Sequence, residues 1–80
     1  MYESTENTIL KNFGNNLKQL RVNANISQEE LATQTNLDRT YISGLERGKR
    51  NPSLLTLLKL TQTLSIPIEK LFKGGNNVSI

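Results

Sequence analysis

Residues 27–48 read SQEELATQTNLDRTYISGLERG, and this stretch decides the fold. Ser27 and Glu30 stand three residues apart just ahead of Leu31. That is the spacing of a capping box, in which the serine hydroxyl accepts from the Glu30 N–H and the glutamate carboxylate accepts from the Ser27 N–H. Glu29 and Glu30 also suit the positive end of a helix. A short helix is therefore expected from Gln28 to near Thr35-Asn36, and asparagine at 36 tolerates a positive φ better than most residues. Asp38 then caps a second helix, Arg39 to about Arg47, with Ile42 and Leu45 on its inner face and Gly48 as the terminator. Leu31, Ile42 and Leu45 supply a shared buried contact. Ala32 is small enough for the two helices to cross closely. The residues left facing outward are Arg39, Thr40, Ser43, Gly44 and Arg47.

Outward from this pair, further helices can be read. Upstream, Leu10, Phe13, Leu17, Leu20 and Ala24 follow the 3, 4, 3, 4 spacing of one helical face, predicting a helix from about Asn7 to Asn23. Gly14 weakens it slightly, and Asn25 ends it in a left-handed conformation. Downstream, Lys49-Arg50-Asn51-Pro52 is a loop, and Ser53 caps a helix from Leu54 to about Leu64. Ser65-Ile66-Pro67 opens a short last helix ending near Phe72-Lys73, with Pro67 in its first turn, where a missing N–H costs nothing. Gly74-Gly75-Asn76-Asn77 predicts a flexible tail over residues 74–80. The expectation is an all-α, compact five-helix bundle forming one domain over residues 1–73.

Composition narrows the function. The chain has 80 residues, no Cys and no His, so thiolate chemistry, disulfides and the commonest general base and metal ligand are excluded. No metal-ligand spacing, phosphate-cradling glycine loop or clustered carboxylate pair is present, which points away from an enzyme and from any cofactor or small-molecule ligand. No apolar run reaches the roughly 20 residues of a membrane span, and the N-terminal MYESTEN is unlike a signal peptide, so a cytoplasmic protein is expected. The net charge of +3 is only mildly basic. Its distribution says more: Arg39, Arg47, Lys49 and Arg50 cluster, diluted only by Glu46. Such a cluster reads either as a solvated loop or as the electrostatic footprint of a nucleic acid.

Two short helices joined by a tight turn make a helix-turn-helix unit, whose second helix enters the DNA major groove. Leu17 to Phe72, LKQLRVNANISQEELATQTNLDRTYISGLERGKRNPSLLTLLKLTQTLSIPIEKLF, resembles the xenobiotic-response-element type of helix-turn-helix domain, the lambda-repressor-like class that includes phage repressors. Within it, LDRTYISGLERGKRNPS looks most like the controller proteins of restriction–modification gene clusters. Asn25 and Asn36 stand where that pattern more often has glycine.

The resemblance implies a dimeric, sequence-specific regulator, nucleoid-associated when bound, that recognises a palindromic double-stranded DNA operator and controls its own and the endonuclease gene, with two dimers where sites lie in tandem. Arg39 follows the cap of the recognition helix, where an arginine can bond guanine O6 and N7 together. Apart from the resemblance, it reads as a solvated surface charge paired with Asp38 or Glu29. Thr40, Tyr41 and Ser43 complete the base-reading set, although Tyr41 can instead pack under the fourth helix. Gln28, at a helix N-terminus, and Arg47, Lys49, Arg50 and Asn51, at the exit of the recognition helix, are the phosphate-positioning set. Arg21 and Glu46 are paired by family precedent in a bridge between the first and third helices. Ile66, Ile68, Leu71 and Phe72 form an apolar cluster that is either packed inward or shared across a two-fold interface. The rival readings are an antitoxin, a phage-type repressor, and a helix-turn-helix module that binds protein.

Overall fold

A computed structural model describes residues 2–72, with side chains from residue 5 onward. The tail expected over residues 74–80 lies outside the described residues. Four α-helices run in the order α1 (Tyr2–Asn23), α2 (Gln28–Thr35), α3 (Arg39–Glu46) and α4 (Leu54–Leu64), followed by a 3-10 turn, Ile68–Leu71. The five-helix expectation is therefore corrected to four helices and one 3-10 turn. Pro67 precedes the turn in extended conformation (φ −72°, ψ 153°) instead of entering it. The chain then closes i→i+3 bonds, Lys70 N–H to Pro67 O and Phe72 N–H to Glu69 O, both 3.0 Å. So short a segment forms the tighter helix readily. Its position is held from outside, because Asn16 Nδ2 donates to the Leu71 carbonyl at 2.9 Å.

The caps follow local chemistry. Both halves of the Ser27–Glu30 capping box form, at 3.0 and 2.7 Å. Asp38 accepts from Thr40 N–H at 3.0 Å, and Ser53 from Thr56 N–H at 3.1 Å. Asn25 (φ 65°), Asn36 (φ 60°) and Gly48 (φ 74°) all lie in the left-handed region. Ser65 joins them at φ 56° as the C-cap of α4, where the sequence reading placed a helix start.

Phe13, Leu17, Leu31, Ala32, Ile42, Leu45, Leu60 and Leu71 form the core. Two features of α1 depart from its apolar stripe. It begins at Tyr2, earlier than Asn7. At its other end Ala24 is exposed: Asn25 reverses the chain, and Ile26 packs against the core in its place. Gly14 is no passive weak point. A Cβ there would run into the carbonyl oxygens of Leu45 and Glu46, so the glycine lets α1 lie directly on the C-terminal end of α3.

Candidate nucleic-acid interface

α3 divides cleanly into two faces. Ile42 and Leu45 are fully buried, while Arg39, Thr40 and Arg47 are exposed and Ser43 is half-buried. The four side chains on the outer face sit at positions 39, 40, 43 and 47, spaced for one side of a helix. The Asp38 cap fixes where α3 starts and hence how Arg39 and Thr40 project. At the other end, Gly48 N–H bonds Leu45 O at 3.1 Å and Lys49 N–H bonds Gly44 O at 2.8 Å. These bonds consume carbonyls that α3 would otherwise leave unpaired and dock the exit loop on the helix. Lys49, Arg50 and Asn51 follow, all exposed.

The sequence places Gly44 on the outward face. It is buried instead, because Arg50 lies over it: a Cβ on Gly44 would sit 2.8 Å from Arg50 Cγ. The Arg50 guanidinium reaches on to the ring of Tyr41, 5.6 Å from its centroid, a cation–π contact worth about 0.5–1 kcal/mol at an exposed site. Arg50, Gly44 and Tyr41 thus form a stack along one side of α3. Tyr41 is half-buried against the core beneath this arginine. The arginine expected at phosphate therefore lies along α3, with its guanidinium beside the Tyr41 ring.

Behind the outer face, Arg21 and Glu46 form the expected bridge. Arg21 Nε and Nη2 donate to the two Glu46 oxygens at 2.7 and 3.1 Å, a bidentate geometry, and Arg21 Nη1 donates to Ile26 O at 2.9 Å. The side chains are 11% and 2% exposed respectively. Hydrogen bonding to Glu46 raises the Arg21 pKa above its ordinary value, outweighing the opposing effect of burial. The sequence did not reveal that Gln28 joins them: its Nε2 donates to Glu46 Oε1 at 3.0 Å. A residue expected to meet phosphate is thereby held by the carboxylate that ties α1 to α3. One amide hydrogen of Nε2 and the backbone N–H groups of Gln28 and Glu29, ahead of the Glu30 N–H that Ser27 takes, are left over for an anion. No local signal discloses a partner eighteen residues away.

The proposed dimer cluster separates by depth. Leu71 is fully buried and Ile66 and Ile68 are half-buried against the core, leaving Phe72 as the exposed member at 47%. Leu71 has no surface to offer a partner; it supports the turn from beneath. Phe72 also packs on Phe13, with ring centroids 6.0 Å apart. Sequence reading missed Leu54, Leu55 and Leu58, which form an exposed apolar strip on α4. Periodicity alone could not separate that strip from the core-facing leucines of so apolar a helix. Among the described residues, no group of His, Cys, Asp and Glu could hold a metal ion, and no helix is long and apolar enough to cross a membrane.

Comparison with known proteins agrees with this arrangement. The chain is 49% identical over 67 residues to the control protein C.MunI of a Mycoplasma species, covering 82% of this chain and 90% of that one. The crystal structure of the restriction–modification controller protein C.AhdI from Aeromonas hydrophila superposes with a TM-score of 0.77 at 48% identity, covering 79% of this chain and 96% of that chain. A tetramer of the controller protein C.Esp1396I, solved in complex with its natural 35 base-pair operator, superposes at 0.69 with 33% identity, covering 81% and 96%. The helix-turn-helix family HTH_3 matches residues 17–71, from the middle of α1 through the end of the 3-10 turn. With the capped α2–α3 pair, its tight asparagine turn and its shared Leu31–Ile42–Leu45 contact all in place, the chain belongs to that helix-turn-helix family.

Proposed function

We propose that this protein is a sequence-specific DNA-binding transcriptional regulator of the restriction–modification controller type, with one DNA-binding domain over residues 1–73 that works as a homodimer on a palindromic operator in the cytoplasm. The observation that carries the reading is the outer face of α3. Its exposed Arg39 and Thr40 stand at the capped N-terminus of a helix whose opposite face is fully buried, where a recognition helix presents side chains to base edges. In this reading Arg39, Thr40, Tyr41 and Ser43 read bases, with Arg50 braced on Tyr41 beside them. Gln28, Arg47, Lys49 and Asn51 hold phosphates and set register without reading sequence. Dimerisation uses Phe72, the flanking Ile66 and Ile68, and the α4 strip of Leu54, Leu55 and Leu58. Two equal recognition helices then meet successive major grooves about 34 Å apart. A regulator of this kind controls its own gene and an endonuclease gene.

Selection from a randomised duplex pool tests this directly. The wild-type protein is expected to enrich a palindrome. Arg39→Ala should lose discrimination at one or two positions of each half-site by about 1–3 kcal/mol. Lys49→Ala should weaken all duplexes alike. Enrichment of no sequence by the wild type, or identical behaviour of the two variants, would refute the assignment.

A further inference from the structure

An open polar cleft of about 520 Å³ lies between the middle of α1, the N-terminus of α2 and the C-terminal half of α3. Lys11 and Lys18 of α1 and Arg47 of α3 line it, with Asn15 between the two lysines. Glu46 stands at its wall, but both carboxylate oxygens already accept from Arg21 and Gln28. The cleft therefore carries a positive charge that no acid inside it offsets, and the Arg21–Glu46 pair is the one ion pair among the described residues. Gln28 and Ser43 line the same cleft, so it runs continuously into the face assigned above to DNA. Lys11, Asn15 and Lys18 follow the 4, 3 spacing of a single helical face. The two lysines are separated by about 10.5 Å along α1 at 1.5 Å per residue, whereas one DNA strand advances about 3.4 Å per charge along the duplex axis. The row is long enough to meet more than one phosphate of one strand.

We propose that this cleft seats the phosphodiester backbone of the operator, with Lys11 and Lys18 of α1 as phosphate contacts beyond those of α3 and its exit loop. The proposal rests on the DNA-binding reading and extends the footprint to the first helix. Charge complementarity and continuity with the α3 face identify the occupant. The lysines act as point charges on flexible stems, so they add affinity and register without sequence preference.

The test compares the Lys11→Gln/Lys18→Gln double variant of the full chain with Lys59→Gln/Lys70→Gln, which removes the same charge from exposed sites on α4 and the 3-10 turn. Duplex affinity is measured across a salt series, and thermal melts monitor the fold. Each lost phosphate contact makes the log–log salt slope shallower by about 0.9. The cleft variant should therefore lose about 1.8 per protomer with its sequence preference intact, and the control should lose little. An unchanged slope in the cleft variant would overturn the proposal. So would equal losses in the two variants, which would indicate general charge. A lowered melting temperature with an unchanged slope would also overturn it, because Lys11 would then serve only the negative end of α3. A wild-type protein that binds duplexes without sequence preference would sink the operator reading alone, since the slope comparison still reads the cleft.

Discussion

Replacing Glu46 with glutamine should remove a large share of this domain's stability while leaving its shape almost unchanged. The side chain is 2% exposed and accepts three hydrogen bonds, from Arg21 Nε, Arg21 Nη2 and Gln28 Nε2. The amide is isosteric but neutral, and it turns a donor toward donors that need an acceptor. Arg21 keeps its charge at any working pH and is left buried without a counter-charge. Removing one partner of a buried pair costs about 3–5 kcal/mol. A chain of 80 residues at about 0.05–0.15 kcal/mol per residue has a total of about 4–12 kcal/mol. With 1 kcal/mol shifting the midpoint of so small a domain by about 4–8 °C, Glu46→Gln should lower the melting temperature by at least about 12 °C. The double variant Arg21→Met/Glu46→Leu removes both charges and should recover much of that loss, short of the bonds from Arg21 to Ile26 O and from Gln28 Nε2 to Glu46. A thermal melt and a double-mutant cycle decide the matter. A Glu46→Gln midpoint within about 2 °C of wild type, or a double variant as unstable as the summed singles, would refute the reasoning.

Two further outcomes are expected. Gly44→Ala should gain less than about 1 kcal/mol, the margin by which alanine is favoured over glycine in a helix, since its Cβ would meet Arg50 Cγ, near the root of that side chain, at 2.8 Å and force it to turn. Yet by displacing Arg50 from Tyr41 it should change operator affinity, and titration together with melting separates the two effects. Leu55→Asp or Phe72→Asp, both at exposed apolar positions, should convert a dimer into a folded monomer in analytical ultracentrifugation at micromolar concentration. A wild-type monomer, free and on DNA, would remove the dimer from the proposal.

The helix boundaries around the site were legible because they rest on local chemistry. A hydroxyl or carboxylate satisfying the next turn's N–H groups, as Ser27, Asp38 and Ser53 do, is decided within four residues. So is a left-handed residue just past a helix end, at Asn25, Asn36 or Gly48. The alternation of buried and exposed residues along α3 is likewise a property of its 3.6-residue period, which is why Arg39 and Thr40 could be placed outside and Ile42 and Leu45 inside without coordinates. The last segment failed because so short a stretch after a proline can close either helical pitch, and its choice depends on where Leu71 is anchored.

From the sequence alone came the α-helical class, the capped α2–α3 pair and the outward side chains of α3, because hydrogen-bonding caps and helical periodicity act between near neighbours in the chain. Only the tertiary structure decided that Gln28 joins the Arg21–Glu46 bridge, that Arg50 covers Gly44 and leans on Tyr41, that Gly14 admits α3 against α1, and that Lys11 and Lys18 share a cleft with Arg47. Each of these depends on how elements distant in sequence cross. Crossing is set by the packing of whole side chains in a shared core, and no local pattern of residues records it.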